Sequence, residues 1–376
     1  MEQLTLKDIA IINMGQSPDS KTYNEEKNGI PFYQGKSDFG KINPIPRVWC
    51  SNPIKIAERD DILISVRAPI GDTNIATEKC CIGRGLASIR PLNENVNQKY
   101  LYYLLNSKYK ELNKFGTGST FKAITKDNLC NLKCIQIPDV KEQIEVVKKL
   151  DNVSQIIEIK KEQIEKLNTI TKSQFVEMFE NENKYVNLED VCVFINGDRG
   201  KNYPSADKIS KDPSGIPFIN AGLLINNTVD WKNMNYISED TYNKLGSGKI
   251  QKEDILYCLR GSLGKHSIID FDGKGAIASS LVILRADKSK IQPDFLLIQL
   301  GMDEILRQQN QANNGSSQPN LSAGSVKKYI IKLPSLELQN KFAEFVKQID
   351  KQKFEIENSL KEMQELYESL MEKYFG

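Results

Sequence analysis

Histidine is almost absent from this chain: His266 is the sole example in 376 residues. A zinc site would therefore have one imidazole to draw on. The seven cysteines (Cys50, Cys80, Cys81, Cys130, Cys134, Cys192, Cys258) contain no Cys-x-x-Cys pair. Their odd number argues against a disulfide framework, so reduced thiols in apolar cores are expected and no metal site. There is no Pro-Pro dipeptide, which removes the Asn/Asp-Pro-Pro-aromatic loop of amino-methyltransferases. There is no Gly-x-Gly-x-x-Gly to cradle a cofactor. Gly35-Lys36-Ser37 has the tail of a P-loop, but Ile30 stands where the first glycine is needed. His266 has no triad around it and reads as a polar surface or loop residue. No run of 18 apolar residues occurs, and Met1–Asp8 lacks a basic region leading into an apolar one. No signal peptide, no membrane contact and a cytoplasmic location are expected. Charge of one sign is also missing: 51 basic against 49 acidic residues leave a net +2. A nucleic-acid ligand would thus need basic groups clustered on one face, or help from a partner.

What is present is a duplication. Leu6-Lys7-Asp8 recurs as Leu188-Glu189-Asp190, and Gly29-Ile30-Pro31-Phe32 as Gly215-Ile216-Pro217-Phe218. Arg59–Arg67 matches Lys252–Arg260, Gly71 matches Gly264, and Leu86–Arg90 matches Leu281–Arg285. Gly118-Ser119-Thr120 matches Gly315-Ser316-Ser317, and Ile137-Pro138 matches Leu333-Pro334. The offset drifts from 182 to 197 while the order is kept, as loop insertions in a repeated domain would produce. Within each half, Ile62–Val66 and Ile255–Leu259 read as buried strands, with Ala278–Leu284 and Ile135–Ile137 similar. Tyr100–Phe115 and Phe295–Gln309 carry helical spacing.

After Pro138 and Pro334 the character changes to long helix, rich in Glu, Gln and Lys. Alternating steps of four and three give Val146, Leu150, Val153, Ile157, Lys160, Ile164, Leu167, Thr171, Gln174 and Met178. The same steps give Phe342, Val346, Ile349, Lys353, Ile356, Leu360, Met363, Tyr367, Leu370 and Tyr374. The two ladders share the single offset 196. The expected fold is α+β: two mixed target-recognition domains (1–139 and 184–334), each followed by a long helix (140–183 and 335–376). The helices would pair as an antiparallel coiled coil about a pseudo-twofold axis. A stripe of roughly 35 residues is about 50 Å long, more than one small domain can cover. The competing reading is that each stripe covers only its own domain's core.

Two similar domains on an antiparallel rod suit two half-sites on duplex DNA, one helical turn or more apart. Because their middles differ, the half-sites should differ too. Here the chain resembles the specificity subunit of Type I restriction–modification systems over nearly all of its length. The resemblance is carried by the doubled blocks Asp61-Ile62-Leu63…Arg67 and Asp254-Ile255-Leu256…Arg260, by the Gly-Ser-Thr/Ser loops, and by the helix starts Glu142-Gln143 and Leu338-Gln339. The openings Gly15-Gln16-Ser17-Pro18 and Gly197–Pro204 add to it. It departs from the family pattern where Leu338 replaces the usual Glu, which weakens the capping argument there.

The resemblance implies a non-catalytic adaptor that reads double-stranded DNA and docks methyltransferase subunits, two of them expected, together with restriction/translocase subunits. S-adenosylmethionine, ATP and magnesium would then sit on those partners, with no cofactor in this chain. A nuclease reading of Pro138-Asp139 with Glu158-Ile159-Lys160 is disfavoured, since Glu158 and Lys160 lie inside the heptads and Ser335 replaces Asp139 in the second half. A stand-alone enzyme, or a coiled-coil adaptor without DNA readout, remain the alternatives.

Arg, Lys, Asn and Gln read bases, while Ser/Thr, Lys and Arg hold phosphates. Candidates for DNA contact are Gln34, Lys36, Ser37, Arg67, Ser119, Thr120 and Lys122 in the first half. In the second they are Arg199, Lys201, Asn202, Asn220, Arg260, Ser316, Ser317, Gln318 and Asn320. For Arg67 and Arg260 the alternative is a structural salt bridge. Helix pairing falls to Val146, Leu150, Val153, Ile157, Ile164 and Leu167 on one helix. On the other it falls to Phe342, Val346, Ile349, Ile356, Leu360, Met363 and Leu370.

Overall fold

The computed structural model describes residues 4–115, 122–134, 137–225, 227–312 and 320–376. The chain divides into two compact units, Met1–Gln163 with Ile356–Gly376, and Ile164–Glu355. Each of the two long helices, Val140–Phe179 and Leu336–Phe375, is thus divided between the two units.

The first unit is built on an antiparallel four-stranded sheet in which Leu86–Pro91 lies between Ala10–Met14 and Ile62–Ser65, with Thr73–Ile75 outermost. Every residue of Ile62–Ser65 is buried, as a central strand with covered faces requires. In the second unit Leu281–Ala286 lies between Cys192–Asn196 and Ile255–Cys258, with His266–Ile268 outermost. The register repeats as well: Ser65 stands opposite Leu86 as Cys258 stands opposite Leu281. A second sheet in each unit is centred on a parallel pair, Phe32 beside Cys81 in one and Phe218 beside Ala276 in the other.

A buried ion pair ties together two of the blocks seen to recur. Arg90 donates to Asp61 at 2.6 Å, and Arg285 grips Asp254 with two bonds of 2.8 Å. Both carboxylates are all but fully buried (3% and 1% exposed), and each also accepts a backbone amide, from Glu58 at 3.0 Å and from Gln251 at 2.7 Å. Asp60 and Glu253, one residue before them, both have positive φ, as do Gly71 and Gly264 at the far end of the block. The same hairpin is therefore drawn twice.

Three expectations need correction. The runs Tyr100–Phe115 and Phe295–Gln309 are each two helices, Gln98–Ser107 with Tyr109–Phe115 and Pro293–Leu300 with Asp303–Ala312. The chain turns at Lys108 and at Gly301, whose amides bond back to carbonyls two and three residues behind. Ala278–Leu284 is strand only from Leu281, within Leu281–Ala286; Ala278–Ser280 form a turn, closed by the Leu281 amide on the Ala278 carbonyl, after the strand Ala276–Ile277 of the other sheet. His266 is no loop residue. It sits on a strand, stacks on Tyr257 at 6.2 Å, and its Nδ1 lies 2.7 Å from the Gly264 carbonyl. The predicted strand Ile135–Ile137 lies largely outside the described residues.

The long helices run Val140–Phe179 and Leu336–Phe375. All twenty ladder positions are buried or half-buried, Lys160 and Lys353 included, while Val176 and Phe354, off the ladder, are each 64% exposed. In the first unit Val146, Val147 and Leu150 share a core with Phe375, whose ring packs on Tyr100 at 5.0 Å. In the second, Phe175 and Phe179 meet Phe342, and Phe179 packs on Phe295 at 5.2 Å. Within each unit, then, the start of one long helix meets the end of the other. Helix starts are capped by Asp139 (2.9 Å to the Glu142 amide) and Ser335 (3.4 Å to the Leu338 amide), so replacing Glu by Leu at 338 leaves the cap intact.

The glutamines of the two helix starts are fully buried. Gln143 accepts from the Asn97 amide at 2.7 Å and donates to the carbonyls of Asn95 and Pro138 at 2.8 Å. Gln339 does the same with Gln292, Lys290 and Pro334. Each side chain ties the long helix to the loop that launches the domain's own helix, using both amide hydrogens and one of the two lone pairs of its carbonyl oxygen.

Of the seven cysteines, all are free and all but Cys130 are buried. Burial pushes four of these thiols up, to about 12 for Cys80 and Cys192 and about 11 for Cys81 and Cys134, which keeps those four unreactive near neutral pH.

Candidate nucleic-acid interface

In each unit the candidate residues gather at one end of the two sheets, because backbone hydrogen bonds bring four separate segments together there. In the first unit the Val66 amide donates to the Gly85 carbonyl (2.9 Å) and the Gly83 amide to the Tyr33 carbonyl (2.8 Å). Arg67 follows Val66 and Gln34 follows Tyr33, so both stand beside the Gly83-Arg84-Gly85 turn. Arg67 then forms an isolated bridge with Ala123, and the Lys122 carbonyl accepts from Ala68 at 3.1 Å. Arg67, Gln34, Lys36, Ser37 and Lys122 are all exposed. Lys36 pairs with Asp72 at 2.6 Å, which lowers its claim to a phosphate. Ser37 lies within the short helical turn Lys36–Asp38. Ser119 and Thr120 lie outside the described residues.

The second unit repeats the arrangement. The Leu259 amide donates to Ser280 (2.9 Å) and the Ala278 amide to Ile219 (2.7 Å); Arg260 bridges Asn320. Arg260, Asn320, Lys201 and Asn202 are exposed. Arg199 is exposed too and donates from Nη2 to the Ser279 carbonyl at 3.2 Å. Asn220 is half-buried, and its side chain accepts from the Gly222 amide at 2.9 Å. That bond makes it a turn cap with its carbonyl engaged. Ser316, Ser317 and Gln318 lie outside the described residues.

Among the described residues Arg67 and Arg260 form no ion pair. The structural ion pairs belong to Arg90 and Arg285, which close the repeated strand block behind this edge. A guanidinium held by backbone on a sheet end, exposed and without a carboxylate, keeps its five donors for a ligand. Arg84 on the glycine turn was passed over in the sequence, although it falls between two matched blocks. Gln143, Gln339 and the Asp–Arg pairs were likewise legible only as conserved spacing between halves, with no sign of their partners. Glu158 and Lys160 of the discarded nuclease pattern lie within the first long helix, and Glu158 pairs with Lys41 and Lys161. No group of three or more His, Cys, Asp or Glu is placed to hold a metal among the described residues.

Residues 1–169 and 180–366 each match the family described as Type I restriction modification DNA specificity domain, and the chain belongs to that family with two copies of its domain. It is similar to the MjaX specificity subunit of a type I restriction enzyme of Methanocaldococcus jannaschii, 48% identical over a stretch covering 41% of this chain and 37% of that protein. It thus spans well under half the length of that relative. It is also similar to the EcoBI specificity subunit of Escherichia coli, 20% identical across 99% of this chain and 85% of the relative. In fold it matches a crystal structure of the type I restriction–modification S subunit from M. genitalium, at TM-score 0.59 and 16% identity, covering 100% of this chain and 96% of that one.

Proposed function

We propose that this chain reads a bipartite, asymmetric DNA target on behalf of separate catalytic subunits. One domain serves each half-site, and the two long helices pair antiparallel to space them. The observation that carries the reading is the twice-built sheet end, where Arg67 and Arg260 occupy the same backbone position, exposed and without an ion pair among the described residues. Two near-copies of one edge with different neighbours suit two unequal half-sites. Near-neutral overall charge is compatible with this, since phosphate grip can be shared with partners.

In this reading the off-ladder apolar residues of the helices dock methyltransferase subunits, two per chain, and restriction/translocase subunits join them. S-adenosylmethionine, ATP and magnesium belong to those partners, and the assembly acts in the cytoplasm. No helix among the described residues is long and apolar enough to cross a membrane.

The test is methylation sequencing of the host genome with and without the gene. Loss of one two-part methylated motif on deletion is the expected result. A gel shift of the chain with its methyltransferase that discriminates no sequence would overturn the reading in favour of a non-reading adaptor.

A further inference from the structure

The inference rests on the DNA-reading role proposed above and identifies a residue that performs it. Backbone bonds fix which residues of the two domains correspond. The Leu86 amide closes on the Gly83 carbonyl at 3.0 Å, and the Leu281 amide on Ala278 at 3.0 Å. With the bonds to Tyr33 and Ile219 already described, Gly83-Arg84-Gly85 and Ala278-Ser279-Ser280 are the same turn. Facing it is the loop after the first strand, anchored by the Gly15 amide on Leu86 (2.9 Å) and the Gly197 amide on Leu281 (3.3 Å). Two residues further on, Ser17 corresponds to Arg199.

Across these two segments a loop side chain meets the backbone of the turn in both domains. In the first domain the Arg84 amide donates to Ser17 Oγ at 3.3 Å; in the second, the Arg199 guanidinium donates to the Ser279 carbonyl at 3.2 Å. One domain has serine on the loop and arginine on the turn, and the other has arginine on the loop and serine on the turn. Either way a single exposed arginine belongs to this point of the edge, with no ion pair among the described residues.

We propose that Arg84 is a base-reading residue of the first domain and the counterpart of Arg199 in the second. Arginine's planar fork matches the two acceptors of guanine in the major groove. Such readout needs a fixed base for the side chain, and the turn supplies it. A Cβ on Gly85 would strike the Gln34 carbonyl, and one on Gly83 would lie 3.1 Å from the Gln34 Cα. The turn is therefore pressed onto the backbone of Gln34, itself a candidate reader.

The test uses the chain assembled with its methyltransferase, reading the methylated motif and the binding of duplexes carrying single base-pair changes. Arg84→Ser is expected to relax one base position in one half-site, with discrimination falling on the order of 10- to 100-fold, and to leave the other half-site intact. Arg199→Ser is expected to relax a position in the other half-site. The double variant Ser17→Arg with Arg84→Ser should regain discrimination, because the guanidinium returns from the opposite side of the contact. An unchanged motif in Arg84→Ser, a uniform loss on all duplexes, or a double variant that regains nothing each overturns the proposal. A wild-type assembly with no sequence preference overturns the DNA-reading role itself, and this proposal with it.

Discussion

At the scale of single residues, the two buried carboxylates show how stability and legibility diverge. Asp254 is 1% exposed and takes two bonds of 2.8 Å from Arg285. Arg285→Leu leaves that carboxylate buried and unpaired, and should cost about 3 kcal/mol, the lower end for such pairs because the guanidinium is partly solvated. Urea unfolding should place the loss in the second domain's transition alone. His266 gives the pH dependence. Burial holds its pKa below the ordinary 6.5, against the pull of the Gly264 carbonyl, and its Nε2 is buried without a hydrogen-bond partner among the described residues. A depressed imidazole pKa means the unfolded chain takes up the proton first. The contribution is therefore complete above about 6.5 and lost as pH falls from there through the folded-state value. The melting temperature of the second domain should drop between pH 7 and pH 5, and His266→Phe should flatten that drop; an equal slope in the variant would contradict the assignment. Neither partnership could be read from the sequence. Asp254 and Arg285 were visible as members of repeated blocks, but a repeat shows that positions matter without showing what they touch.

At the scale of elements, the two long helices were legible because heptad spacing survives as a chemical pattern. Their predicted stripe coincides with the covered face at all twenty positions. The shorter helices were not delimited, because Tyr100–Phe115 and Phe295–Gln309 keep apolar spacing through a turn that only backbone geometry reveals. The strand run Ala278–Leu284 began three residues early, because small residues at Ala278-Ser279-Ser280 suit an extended chain as well as the turn they form ahead of Leu281–Ala286. The helix starts carry the next prediction. Gln143→Ala and Gln339→Ala each strand one amide and two carbonyls in a fully buried site, since the partners at Asn97 and Asn95, or Gln292 and Lys290, have no replacement. A cost of about 3 kcal/mol is expected for either, against less than about 0.5 kcal/mol for alanine at the exposed Lys341 two residues on. Denaturant midpoints of the three variants, with the unfolding slope held constant, check it.

At the scale of the whole molecule, each domain core is completed by the end of the helix that follows the other domain. Phe375 is 1% exposed and packs on Tyr100 among Val146 and Leu150, though 275 positions separate the two rings in the chain (375 against 100). Phe179 plays the same part against Phe295 and Phe342. Sequence order alone would place the last helix turns with the second domain, and a truncation or mutation there would be expected to damage that domain. The packing says the reverse. Phe375→Ala removes a buried ring from the first domain's core and should cost it about 3–5 kcal/mol. Hydrogen exchange should then quicken at Tyr100–Leu105 and along Ile62–Ser65, while Ile255–Cys258 in the second domain keeps its protection. Under the function proposed above, the same variant assembled with its methyltransferase should weaken recognition of the half-site assigned to the first domain and leave the other intact. Faster exchange confined to the second domain would mean that the C-terminal helix end belongs to the domain beside it in sequence, and the crossed packing of the two helices would have to be abandoned.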